Sequence, residues 1–224
     1  MLAIDPYLSY ASYLALSGIF LVFATILYQE KTHIRYFLKQ CNLTALPTTE
    51  RCSAKVLEII KTLPSRPYRV VDFGCGEGDM LHKIDSNTDI HDIVGVELDE
   101  ALAQNTMERF KSSNNIVVHN MDMVHYTFES VPTIVYMYEP LFRMDVDDAV
   151  SIYKNVFVNL ARNKELTYII YVSGVKQMLP PAFFETYNYS LLDHCKVRRF
   201  CGLAANHVYL YKSKPGALRS IYSL

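Results

Sequence analysis

The chain has 224 residues, half of them apolar, and its 22 Lys and Arg face 23 Asp and Glu for a formal net charge of −1. That is room for one domain with a sizeable core plus a short extra segment, and it excludes a disordered tail or a fibrous repeat. No basic excess exists to neutralise a phosphate backbone, so dedicated nucleic-acid binding is not expected. The cysteines are Cys41, Cys52, Cys75, Cys195 and Cys201, with no C-x-x-C pair among them. An odd number so spaced argues against a disulfide framework and a zinc site, and for a reduced compartment.

The apolar excess sits at the start. Residues 7–28 read YLSYASYLALSGIFLVFATILY, without a single charge. As a helix this stretch would run about 33 Å, enough to cross the ~30 Å hydrocarbon layer. Tyr7, Tyr10 and Tyr13 crowd one end and Tyr28 and Tyr36 the other, as rings seated at an interface do. A cleaved signal peptide needs a basic leading region, whereas only Asp5 is charged before the segment. Lys31, Arg35 and Lys39 follow it, so the positive-inside rule puts the rest of the chain on the cytoplasmic or mitochondrial-matrix side. The expected organisation is a single transmembrane helix within residues 1–30, a juxtamembrane linker over 31–47 and a domain over 48–224, with the lipid bilayer as partner.

Beyond the linker, apolar residues at helical spacing predict a helix over 50–63, stopped by Pro64. A buried strand over 69–73 runs straight into Gly74-Cys75-Gly76-Glu77-Gly78 and a short helix over 79–84. A strand feeding a glycine-rich turn that opens a helix is the first unit of a doubly wound sheet. Strands over 93–96, 116–119, 133–137 and 167–172 follow, with helices over 100–111 and 147–161 between them. The end reads as a helix over 181–195 and two strands, 196–201 and 207–212, joined through Gly202. The expected fold class is α/β, a Rossmann-like, mostly parallel sheet with one antiparallel edge strand.

VVDFGCGEGDM, carrying Asp72, Gly74, Gly76 and Gly78, resembles the first motif of the class I S-adenosylmethionine-dependent methyltransferases. Glu97, closing the second strand, and Asp122, after the third, fall where that superfamily binds its cofactor. A nicotinamide site would need G-x-G-x-x-G, and here the third glycine comes one residue early. The resemblance implies S-adenosylmethionine as cofactor. Gly74 and Gly76 would pass beneath its methionyl and ribose portions, with Asp72 organising the loop and reaching the amine. Glu97 would accept from the ribose hydroxyls and Asp122 from the adenine amino group, while Leu98 and Met121 or Met123 pack on the ring. Gly78 completes the loop, and Cys75 is a small loop residue, with no partner base to make it a nucleophile.

Acceptor chemistry is expected after the fourth strand, at Tyr136-Met137-Tyr138-Glu139-Pro140. Relatives that methylate bases or glutamine carry (Asn/Asp)-Pro-Pro-(Tyr/Phe) there, and only Pro140 corresponds. The resemblance extends to membrane-anchored lysine methyltransferases of mitochondria, which makes a protein lysine one implied acceptor. Glu139 is the candidate base or cation holder, with Tyr136 and Tyr138 on one side of the strand as its partners. The histidines show no ligand spacing, so no metal is expected. The competing reading is a tethered cofactor-binding scaffold without turnover, because a fold and a binding motif do not guarantee chemistry.

Overall fold

The computed structural model describes residues 48–141, 144–174, 179–198 and 205–214. The expected membrane span and linker lie outside these residues. Among the described residues no helix is long and apolar enough to cross a membrane.

Helix α1 (Glu50–Thr62) starts at Thr49, whose side chain accepts from the Cys52 amide, and buries Cys52, Val56, Ile59 and Ile60 on one face. Strand β1 (Arg69–Phe73) leads through the glycine turn to α2 (Asp79–Asn87), three residues longer than its sequence pattern suggests. Then follow β2 (Asp92–Glu97), α3 (Glu100–Phe110), β3 (Ile116–Asn120), a 3-10 turn (Met123–His125), β4 (Thr133–Tyr138), α4 (Val146–Leu160) and β5 (Thr167–Ser173). The chain closes with α5 (Pro181–Thr186), β6 (Tyr189–Arg198) and β7 (Ala205–Ser213).

The sheet has seven strands in the order β3-β2-β1-β4-β5-β7-β6. The first five run parallel; β7 runs against both β5 and β6 and supplies the antiparallel margin. The antiparallel strand is second from the edge, and β6 lies outside it. The central strands are buried on both faces, which is why they read as unbroken apolar runs. Alternate residues feed two cores. Val70, Ile93, Ile134 and Ile170 pack with α1, α2 and Phe110, while Val71, Val94, Val135 and Ile169 pack with α4 and α5. The result is a three-layer α/β/α sandwich.

One sequence expectation is corrected. The helix expected over 181–195 ends at Thr186, and the following residues form the ten-residue strand β6. Asn188 takes φ +62° and turns the chain, a left-handed stop that Asn tolerates better than most residues. The strand is then fixed by its ladder to β7.

Candidate functional site

Strand order reverses between β1 and β4, so the carboxyl ends of the strands open a crevice there, the place where open α/β sheets bind ligands. Gly74, Gly76 and Gly78 all take positive φ, +74°, +55° and +76°. A side chain at Gly74 would also meet Pro140, its Cβ falling 2.8 Å from that ring. The turn is held from two directions. The Gly74 and Cys75 amides donate to the Val96 carbonyl at 2.8 and 3.2 Å. From α3, the Thr106 hydroxyl donates to the Gly76 carbonyl at 2.7 Å and the Arg109 guanidinium to the Glu77 carbonyl at 2.6 Å.

Glu97 ends β2 and is only 9% exposed. One carboxylate oxygen accepts from the Gly76 amide and the other from the Asp99 amide, both at 2.9 Å. An ionised carboxylate has about four acceptor positions, so each oxygen keeps one for a ligand hydroxyl. Glu97 therefore also staples the turn to β2. Asp99 caps α3 through the Leu102 amide at 3.0 Å, and Asn120 donates to the carbonyls of Glu97 and Leu98. Asp122 caps the 3-10 turn with one oxygen, accepting from Val124 at 3.0 Å.

These elements enclose a cavity of about 320 Å³ lined by Gly74, Glu97, Leu98, Asp122, Met123 and Pro140, with Met121, Leu141, Met144 and Ile152 completing its apolar wall. Leu98 is an apolar side chain 69% exposed at its rim. Two carboxylates among aliphatic and thioether side chains suit a flat heterocycle bearing a sugar diol. Asp72, Cys75, Gly76 and Gly78 lie outside this lining. Asp72 is 3% exposed. Burial, with the nearby Glu97 charge, pushes its carboxyl up to about 8. Cys75 is buried, and desolvation drives its thiol far above the ordinary range. Its Sγ occupies space that a Cβ on Gly95 would invade, at 2.8 Å, which gives the Cys75 side chain a packing role.

The three residues expected to carry acceptor chemistry do not converge. Tyr136 and Tyr138 are buried in the core shared with α1, where Tyr136 pairs its hydroxyl with that of Thr48 at 2.7 Å and Tyr138 donates to Asn206 at 3.3 Å. Glu139 takes φ +39°, is 0% exposed, and accepts from the Ser173 hydroxyl at 3.0 Å. Its charge raises the Tyr153 hydroxyl in the other core, after burial and Tyr171. None of the three lines the cavity, although Pro140 and Leu141, the next residues, do. Thr106, Asn120 and Ser173 were not anticipated from sequence; they act across 22 to 34 positions, and no local pattern announces them.

The strand order and the glycine turn at its reversal define a Rossmann-like α/β sheet, a fold shared with solved methyltransferase structures. Residues 70–163 match the family described as Methyltransferase domain. Similar solved structures include magnesium protoporphyrin IX methyltransferase (ChlM) from Synechocystis PCC 6803 with bound S-adenosylmethionine, at 13% identity and TM-score 0.55, covering 72% of this chain and 78% of that one. The N-methyltransferase NodS from Bradyrhizobium japonicum WM9, in complex with S-adenosylhomocysteine, is 8% identical with TM-score 0.58, covering 76% and 90%. No curated protein matches the sequence.

Proposed function

We propose that this chain is an S-adenosylmethionine-dependent methyltransferase, tethered to a membrane by residues 7–28 with its domain on the cytoplasmic or matrix side. The cavity between the glycine turn and the ends of β2 to β4 carries the reading, because it presents Glu97 and Asp122 among apolar walls at the strand-order switch. The cofactor supplies a methyl group on a positively charged sulfur, already activated for transfer. The free acceptor positions of Glu97 would take the ribose hydroxyls as charge-assisted hydrogen bonds. Asp122 would meet the adenine amino group, and Leu98, Met121 and Met123 would cover the ring. Gly74 lets the backbone approach the ligand closely, with Cys75, Gly76 and Gly78 shaping the turn behind it. Asp72 would place its charge behind the methionyl amine.

A protein lysine is the acceptor that the sequence resemblance favours. The solved structures named above are a magnesium protoporphyrin IX methyltransferase and an N-methyltransferase, so the shared fold does not choose an acceptor. We assign proton acceptance to Glu139, whose positive φ is a strained conformation of the kind that gathers at functional sites. Tyr136 and Tyr138 then support β4 from beneath. Titration calorimetry with S-adenosylmethionine, followed by incubation of the full chain with methyl-labelled cofactor and a cell extract, tests the proposal. Saturable binding with label entering an acceptor supports it; binding without transfer in any extract leaves a scaffold; no binding refutes both.

A further inference from the structure

The carboxyl edge of the sheet carries a row of proton-bearing side chains that cofactor binding does not use. It begins at the Glu139 carboxylate, which accepts from Ser173 at 3.0 Å. Ser173 lies directly opposite His207 in the β5–β7 ladder, so the two side chains share a face and are nearest neighbours across the strands. His207 Nδ1 is 2.9 Å from Nε2 of His194 on β6, the rings within 9° of parallel, one donating and the other accepting. Exposure rises along the row, from a fully buried Glu139 through a buried Ser173 and a half-buried His207 to an exposed His194. Two hydrogen-bonded pairs, Glu139–Ser173 and His207–His194, thus lie end to end across one ladder position, between the post-β4 strand end and solvent at the outer margin of the sheet.

We propose that Glu139, Ser173, His207 and His194 form a proton exit route for the transfer reaction. This rests on the methyltransferase reading above. When an N–H or O–H acceptor is methylated, its lone pair forms the new bond to carbon and the pair of the broken sulfur–carbon bond stays on sulfur. The acceptor's proton must then leave as H⁺. Glu139 receives it, Ser173 passes it on by accepting one proton and donating another, and the imidazole pair hands it to water. Burial, His194 and Lys196, which is paired with His207 across the ladder, hold the His207 imidazole below its ordinary range, so it returns the proton readily. The other charged group beside the pair is Asp193, which accepts from the His194 amide at 2.8 Å, and Tyr209 stacks on His194 at 4.4 Å. Glu139 is the group that takes the proton from the acceptor, and Ser173, His207 and His194 act through it as positioning residues.

The test compares the full chain with His194→Gln and His207→Ala. Label transfer from methyl-tritiated S-adenosylmethionine to a whole-cell extract is followed against pH, and the titration of both rings is followed by nitrogen-15 NMR without cofactor. His194 is exposed, so its variant keeps the fold. The wild-type rate should climb with pH as the His207 imidazole, held below its ordinary range, becomes free to take a proton. Both variants should lose that limb and roughly tenfold in rate, less than the ~100-fold of a directly acting base. Free imidazole should restore part of the rate to His207→Ala, and cofactor affinity should not change. In the wild type the His207 ring should titrate below a free imidazole, in the direction set by its burial and by the neighbouring His194 and Lys196. Variants that transfer label at the wild-type rate with an unchanged pH profile overturn the route and leave the transferase reading standing, as does a His207 ring that titrates no lower than a free imidazole. A wild-type chain that binds cofactor but transfers no label overturns both.

Discussion

Glu97 does two jobs at once, and the balance between them is measurable. Its carboxylate holds the Gly76 and Asp99 amides and offers its remaining lone pairs to the cavity. Glu97→Ala should weaken S-adenosylmethionine binding at least tenfold, since charge-assisted bonds contribute roughly 1.5–3 kcal/mol each and ~1.4 kcal/mol is a factor of ten. It should also lower the stability of the free protein by about 2 kcal/mol, because two amides lose their acceptor. Calorimetry and thermal melts on Ala and Gln variants separate the two effects, with Gln intermediate in both. Ala and Gln variants that bind like wild type would place the sugar elsewhere. Asp72 gives a second readout. Its carboxyl is raised to about 8, so the folded state keeps a proton that the unfolded chain releases near 4, and stability without ligand should fall as pH rises through that window. A cationic ligand beside Asp72 favours its charged form. Binding near pH 7 should therefore release protons, visible as a binding heat that depends on the ionisation enthalpy of the buffer. A heat that is the same in phosphate and Tris would contradict this.

The glycine turn works as an element because β2 and α3 clamp it, which explains both what the sequence announced and what it concealed. Gly74, Glu97 and Asp122 were legible because each belongs to a local strand-to-turn unit whose composition has a physical cause. Thr106 was not, since its bond to Gly76 spans 30 positions, and the Thr48–Tyr136 pair spans 88. The helix expected over 181–195 failed for a related reason. Phe183, Phe184, Leu191 and Leu192 mimic helical spacing, while the true stop is a positive φ at Asn188 and the strand's partner is β7. Gly95 shows the clamp's tightness, its absent Cβ leaving room for Leu81 and Cys75 at 2.7 and 2.8 Å. Gly95→Ala should destabilise the domain by about 1–3 kcal/mol, the usual cost of overpacking, read as a lower denaturation midpoint at unchanged denaturant dependence. An unchanged midpoint would mean that α2 yields freely.

At the scale of the molecule, the seven strands and five α-helices among the described residues build the crevice, and all of them follow the apolar segment at 7–28 in the chain. Removing residues 1–30 should therefore leave cofactor affinity and melting temperature unchanged while abolishing sedimentation with membranes. A truncated chain that aggregates without lipid would show that the segment packs on the domain instead. A cut through Thr49 is a different matter, because it deletes the cap of α1, worth about 1 kcal/mol, and the Thr48 contact to β4. The account as a whole stands on the cavity at the strand-order switch being the S-adenosylmethionine site. The most direct measurement is titration calorimetry of the 31–224 fragment with S-adenosylmethionine, beside Gly74→Val, whose side chain would meet Pro140 at a backbone angle hostile to β-branching. The account predicts one-site saturable binding to the fragment and none to the variant. A fragment that folds and gives no binding heat at millimolar cofactor, or a folded variant that binds as well as the parent, would contradict it.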